Sequence, residues 1–178
     1  MSVIVVKDKK FGISIPANKI DAAIGKIADQ INRDYEGKNI LFMPILNGSF
    51  MFTADLLRKI QIPCQVSFVK YASYSGTSTT AQVKELIGIN ESVTGRYVVI
   101  LEDIVDTGIT MDLVLNELKK FQPADVKLAC LFHKPDAFIK SFKIDYLGMN
   151  IPNEFVVGFG LDYDGYGRNY PDVYHLIT

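Results

Sequence analysis

The sequence predicts an α/β protein: a twisted, mostly parallel sheet with helices on both faces and a small C-terminal hood. Three observations predict it. Residues 40–46 and the β-branched 97–101 are continuously apolar, and 126–132 is apolar apart from Lys127, as strands buried on both faces must be. They alternate with segments whose apolar residues recur at helical spacing, the arrangement of parallel strands joined by crossover helices. Beyond Lys134 the chain breaks into short runs and turns dense in aromatics, among them Phe155, Phe159, Tyr163, Tyr166, Tyr170 and Tyr174.

Taken in order, residues 1–11 hold a four-residue apolar stretch followed by Lys7, Asp8, Lys9 and Lys10. That is too short for a signal-peptide core or a membrane span and suits a strand joining the hood. Ile20, Ala23, Ile24, Ile27, Ala28 and Ile31 predict a helix over about residues 18–35. The strand at 40–46 ends on Asn47-Gly48-Ser49, a short helix runs on to Ile60, and Pro63 opens a strand reaching Tyr71. Residues 73–80 are polar, with one glycine and no core-facing positions, and predict a mobile loop. The strand from Tyr97 leads into a helix carrying Met111, Val114, Leu115, Leu118 and Phe121, and residues 126–132 return to strand. One domain over 1–178 is expected, with a core over about 17–148 and a hood from 1–16 and 149–178.

Composition narrows the function. With 178 residues, 48% hydrophobic and 22% charged, the chain is neither disordered nor collagen-like nor a coiled coil. A net charge of −1 argues against a nucleic-acid partner, whose phosphates need clustered Lys and Arg. That neutrality is only an average, because residues 97–118 carry five acidic and no basic side chains. Cys64 and Cys130 sit in apolar runs without metal-ligand spacing, so buried thiols in a cytoplasmic protein are expected, with no membrane association.

In a parallel sheet, ligands bind at the carboxyl ends of the strands. Four such ends are legible: Asn47-Gly48, Tyr71 onward, Glu102-Asp103 and His133-Lys134. The third is the richest. A buried strand delivers Glu102 and Asp103 at its end, and Asp106-Thr107-Gly108-Ile109-Thr110 follows as a helix begins. Free N–H groups at a helix N-terminus make a phosphate cradle, Gly108 allows close backbone approach, and Thr107 and Thr110 add hydroxyls. Three carboxylates beside a phosphate require an intermediary, for which hydrated Mg²⁺ and sugar hydroxyls are suited. The plainer alternative is that Asp106 and Thr107 only cap the helix while Glu102 and Asp103 are solvated. It explains the capping residues but not two acids terminating a buried strand.

Four hydrophobics, two acids, two hydrophobics and Asp-Thr-Gly-x-Thr resemble the phosphoribosyl pyrophosphate signature of the type I phosphoribosyltransferases. The form Glu102-Asp-Ile-Val-Asp-Thr-Gly108 resembles their hypoxanthine-guanine (6-oxopurine) branch, and matches run in order from about Leu41 to Arg168. The resemblance implies a purine-salvage enzyme. It would transfer ribose 5-phosphate from phosphoribosyl pyrophosphate to a 6-oxopurine with Mg²⁺, in a homodimer or homotetramer. It implies that Glu102 and Asp103 hold the ribose hydroxyls and metal-bound water. Residues Asp106, Thr107, Gly108, Ile109 and Thr110 would wrap the 5′-phosphate, with Asp106 as acid/base at purine N7. Leu46, Asn47 and Gly48 would form a pyrophosphate loop with a cis Leu46–Asn47 peptide. Ser73-Tyr74 would open a lid, Lys134 would read the 6-oxo group, and Phe155-Val156 would stack on and hydrogen-bond the base. Asp162, also at the purine site, would bind a second Mg²⁺, and Arg168 the pyrophosphate. Asn47 and Ile109 depart from the lysine and the polar residue that many relatives carry there, leaving backbone donors in both places.

Plainer assignments stand beside these. Lys134 could be an exposed strand-end lysine, Phe155 a core residue and Tyr74 an ordinary loop residue, and His133 and His175 read as structural. Three other functions compete. A nucleic-acid-binding regulator on this fold would need a basic face or an added segment. A phospho-receiver domain would place its acids on different strands. A xanthine- or pyrimidine-preferring transferase is disfavoured by Lys134 with Phe155-Val156 and Asp162.

Overall fold

The structure, a computed structural model, describes residues 3–74, 82–88 and 92–177. A hairpin of β1 (Val3–Val6) and β2 (Lys9–Ile15) leads into α1 (Ala17–Asp34), β3 (Ile40–Leu46), α2 (Phe50–Leu57), β4 (Cys64–Val66), β5 (Val69–Tyr74) and β6 (Gln82–Ile87). Then come β7 (Tyr97–Val105), α3 (Ile109–Lys119), β8 (Asp125–His133), β9 (Tyr146–Asn150), β10 (Val156–Val157) and β11 (Val173–Ile177).

The main sheet has the order β6-β5-β3-β7-β8-β9, with β4 also on β3. Its pairs are parallel except β5 with β6. The two-residue strand period divides the core. Ile40, Phe42, Val99 and Leu101 pack with the buried side of α1 and with Phe52 and Leu56 of α2. Leu41, Met43, Val98 and Ile100 pack with Met111, Val114 and Leu118 of α3 on the other face. All six apolar positions expected to face inward on α1 are buried. A second sheet, β1-β2-β11-β10, joins the two ends of the chain. It ties to the main layer where Asp172 accepts the N–H of Ala17 at 2.7 Å, at the start of α1.

Several local expectations need correction. The strand with the acid pair does not end at Leu101. It runs to Val105, because Glu102, Ile104 and Val105 keep pairing with Cys130, Phe132 and His133. The stretch after Pro63 is two strands, since the chain breaks at Ser67, whose N–H bonds Phe42 O, before rejoining β3 at Ile45. Ser73 and Tyr74 belong to β5 and pair with Val83 and Gln82 of β6. The rest of the expected loop, 75–80, lies outside the described residues. Phe121 lies beyond α3 and is exposed. Cys130 is buried, but Cys64 is exposed, because β4 is a three-residue strand with no buried position.

Candidate active site

The turn after β3 is built from inside. Ser49, fully buried, donates its hydroxyl to Ile45 O at 2.6 Å, and Thr53 donates to Ser49 O at 2.8 Å. This pins the first turn of α2 to the strand end. The Leu46–Asn47 peptide is cis, as the resemblance implied. A Cβ on Gly48 would overlap the Asp103 carboxylate, and one on Gly160 (φ +95°) would overlap Gly48 O. Three segments distant in sequence therefore meet where only glycines fit.

At the end of β7 lies a cleft of about 240 Å³. Its walls are residues 102–111 together with Ile45, Leu46, Gly48 and Tyr71. All seven residues expected from the acidic motif thus converge on one space: Glu102, Asp103, Asp106, Thr107, Gly108, Ile109 and Thr110. The pleat gives the two adjacent acids different neighbours, Glu102 standing opposite Cys130 and Asp103 beside Gly48.

Helix capping does not account for Asp106. The residue preceding α3 is Gly108, left-handed at φ +81° and without a side-chain cap. Thr107 Oγ1 accepts only a long 3.4 Å bond from Ile109 N–H. The Asp106 carboxylate instead accepts a hydrogen bond from Lys134 Nζ at 3.1 Å, across from β7 to the end of β8. Lys134 is 7% exposed, which overturns the exposed strand-end alternative, while the Asp106 side chain is half-exposed. The ammonium is sheltered and the carboxylate faces the opening.

Burial dominates the electrostatics of the acid pair. It pushes the Glu102 carboxyl well above its usual range, with the Asp103 charge adding to the effect. It pushes Asp103 up to about 6, against the backbone N–H groups of Asp103 and Ile104 and the Arg168 charge, which act the other way. Glu102 Oε2 is buried with no hydrogen-bond partner. A partnerless carboxyl oxygen held this way beside a second carboxyl group suits a hard cation or its water. Among the described residues no three His, Cys, Asp or Glu side chains converge on one point. A Mg²⁺ here would accordingly complete its shell with water and substrate oxygens.

The remaining expected residues are not in the lining of this cleft. Asp162 ion-pairs with Arg168 at 2.7 Å and accepts Gly165 N–H at 2.6 Å. Arg168 also donates to Gly160 O at 2.6 Å, which sets this loop against the Gly48 turn. Val156 is buried in β10, but Phe155 is 46% exposed, so the core alternative fails for it. Asn47 sits in the turn without lining the cleft. His133 Nδ1 lies 3.1 Å from Asn150 Oδ1.

Two residues escaped sequence reasoning. Tyr71 lines the cleft, and its only sequence signal was its place at a strand end. Phe138 closes the underside of Gly108. Its ring lies 2.5 Å from where a Cβ would stand, and no periodicity announced it.

A parallel α/β sheet with an acidic, glycine-bearing phosphate-type loop at its strand ends defines a nucleotide- or phosphate-binding domain. Residues 16–164 match the phosphoribosyl transferase domain, and the chain belongs to that family. It is 42% identical over 149 residues to the hypoxanthine-guanine phosphoribosyltransferase of Lactococcus lactis, covering 83% of this chain and 81% of that one. It is 36% identical over 173 residues to that of Mycobacterium tuberculosis, covering 93% and 84%. The crystal structure of a Bacillus anthracis hypoxanthine-guanine phosphoribosyltransferase with HEPES in its active site has a TM-score of 0.89. It is 34% identical, covering 93% of this chain and 98% of that one. The Trypanosoma cruzi hypoxanthine phosphoribosyl transferase also gives 0.89, at 33% identity, covering 98% and 95%. Within the domain family this chain is a member of the hypoxanthine-guanine phosphoribosyltransferases.

Proposed function

We propose that this protein serves purine salvage. It transfers the 5-phosphoribosyl group of phosphoribosyl pyrophosphate to N9 of hypoxanthine and/or guanine, releasing pyrophosphate and giving IMP or GMP. The observation that carries the reading is the convergence on one cleft of the acid pair, the Asp106–Thr110 loop and the cis turn, with the Asp106–Lys134 pair at the end of the same strands.

In this reading, backbone N–H groups of 107–110 and the Thr107 and Thr110 hydroxyls bind the 5′-phosphate at the start of α3. Glu102 and Asp103 accept the ribose hydroxyls. The turn Leu46-Asn47-Gly48 and Arg168 bind pyrophosphate, offering donors where charge collects as the C1–oxygen bond breaks. Glu102 and Asp103 would hold one Mg²⁺ and Asp162 a second, which would supply charge neutralisation to the pyrophosphate. Lys134 hydrogen-bonds Asp106 before the base arrives and donates to the purine 6-oxo oxygen afterwards. Asp106 takes the N7 proton as N9 attacks, worth about 10²–10⁴-fold in rate. Phe155 stacks on the base and Val156 offers its backbone. Ser73 and Tyr74 begin the lid that excludes water from the charged ribose.

The same reading takes 1–178 as one domain acting in the cytoplasm as a homodimer or homotetramer. No helix among the described residues is long and apolar enough to cross a membrane. The test is pyrophosphate release from phosphoribosyl pyrophosphate with hypoxanthine, guanine, xanthine, adenine and uracil offered separately, with Mg²⁺ and after chelation. Turnover with hypoxanthine or guanine that chelation abolishes is expected. Activity with adenine or uracil alone would refute the substrate assignment, and full activity in chelator would refute the metal.

A further inference from the structure

Phe155 has a fixed backbone and a loosely framed ring. Its carbonyl accepts Leu176 N–H of β11 at 2.9 Å, yet the ring is 46% exposed. Two aromatic neighbours frame that ring. Phe11, fully buried in β2, lies 6.2 Å away at 44°. Tyr163 meets it edge-on at 5.8 Å and 86°, the favoured geometry for an aromatic pair.

Tyr163 is in turn held by the tip of the β1–β2 hairpin, from the far end of the sequence. Lys7 and Lys9 each place Nζ 5.5 Å from its ring centroid, on the negative face of the π system. Lys7 Nζ also pairs with Asp164 at 2.8 Å. The neighbouring Asp162 needs none of this, because Arg168 and Gly165 N–H already hold it.

We infer that Lys7 and Tyr163 are positioning residues for the purine site: the N-terminal hairpin clamps the Tyr163 ring, and that ring sets the face Phe155 offers to the base. The inference rests on the reading that Phe155 stacks on the purine. Because Asp162 and Arg168 are anchored independently, loosening the clamp blurs the base-binding face without disturbing the pyrophosphate side. The loss falls on purine KM, not on phosphoribosyl pyrophosphate KM or on kcat.

The experiment compares Lys7→Met, Tyr163→Leu, the double variant and Phe155→Leu by steady-state kinetics in both substrates, with thermal denaturation of each. In Lys7→Met and Tyr163→Leu, purine KM should rise about threefold to tenfold, the worth of one cation–π contact or one aromatic pair. Phosphoribosyl pyrophosphate KM and kcat should stay within about twofold. The double variant should be no worse than Tyr163→Leu alone, because Lys7 acts through that ring. Unchanged purine KM in both singles, with a raised KM in Phe155→Leu, would overturn the clamp and leave the stacking role standing. Unchanged purine KM in Phe155→Leu would overturn the stacking reading and the clamp with it. A parallel loss in both KM values and in melting temperature would make the hairpin merely structural and overturn the positioning role.

Discussion

Gly108→Ala tests the phosphate loop at its most constrained backbone position. Gly108 lies at φ +81°, where an L side chain costs roughly 1–2 kcal/mol through its contact with the backbone. The new methyl also meets Phe138 at 2.5 and 2.9 Å and Phe142 at 3.1 Å. Phe138 cannot withdraw freely, because it packs edge-on between His133 at 5.1 Å and Phe142 at 5.0 Å. Overpacking of this kind costs about 1–3 kcal/mol, so the two effects together come to about 2–5 kcal/mol. For a chain of this size that lowers Tm by about 4–20 °C, leaving a folded protein to assay. Urea denaturation gives the loss, and repeating it in a Phe138→Leu background separates the parts. There the cost of Gly108→Ala should fall toward the backbone contribution alone, about 1–2 kcal/mol. KM for phosphoribosyl pyrophosphate should rise in Gly108→Ala, since the N–H groups of 107–110 shift with the loop. A loss under about 0.5 kcal/mol, or one equal in both backgrounds, would refute this account of why glycine stands there.

Asp106→Asn should lower kcat by about 10²–10⁴-fold while phosphoribosyl pyrophosphate affinity, read by calorimetry, changes only severalfold; an equal loss of both would make Asp106 structural. Asp103→Asn should stabilise the chelated, substrate-free protein. The Asp103 carboxyl is raised from 3.8 to about 6, so the unfolded chain ionises first and stability falls as pH climbs between those values. Asparagine removes that loss, up to about 3 kcal/mol for the shift of roughly two units. The Tm gain should be present at about pH 7.5 and absent at about pH 4, and a gain independent of pH would contradict the burial argument. Arg168→Lys should raise KM for phosphoribosyl pyrophosphate. A lysine has no planar fork to reach Asp162 and Gly160 O together, and an unchanged KM would remove Arg168 from the site.

What the amino-acid sequence determined by itself was whatever depends on neighbours along the chain. The apolar period of α1 placed every buried residue of that helix, because one amphipathic face can be buried in only one way. The run at 40–46 set β3 to the residue, and the spacing from Glu102 to Thr110 placed the strand, loop and helix that wall the cleft. Even so, the length of β7 was misjudged. Pairing with β8 carries Glu102 and Asp103 inside the sheet, and ladder hydrogen bonds to a partner outweigh the poor strand preference of acids.

Tertiary structure alone decided how the pieces face one another. Asp106 lies 28 residues from the lysine that holds it. Gly48, Asp103 and Gly160 meet across more than a hundred residues, and Tyr163 is clamped by the hairpin at the other end of the chain. No local pattern encodes such contacts, because the residues are brought together by sheet order and by closure of the β1-β2-β11-β10 layer. Burial is decided the same way: Cys64 lay in an apolar run and is exposed, while Lys134 is charged and buried. What surrounds a side chain in three dimensions settles its solvation, and with it the chemistry that Glu102, Asp103 and Lys134 can perform.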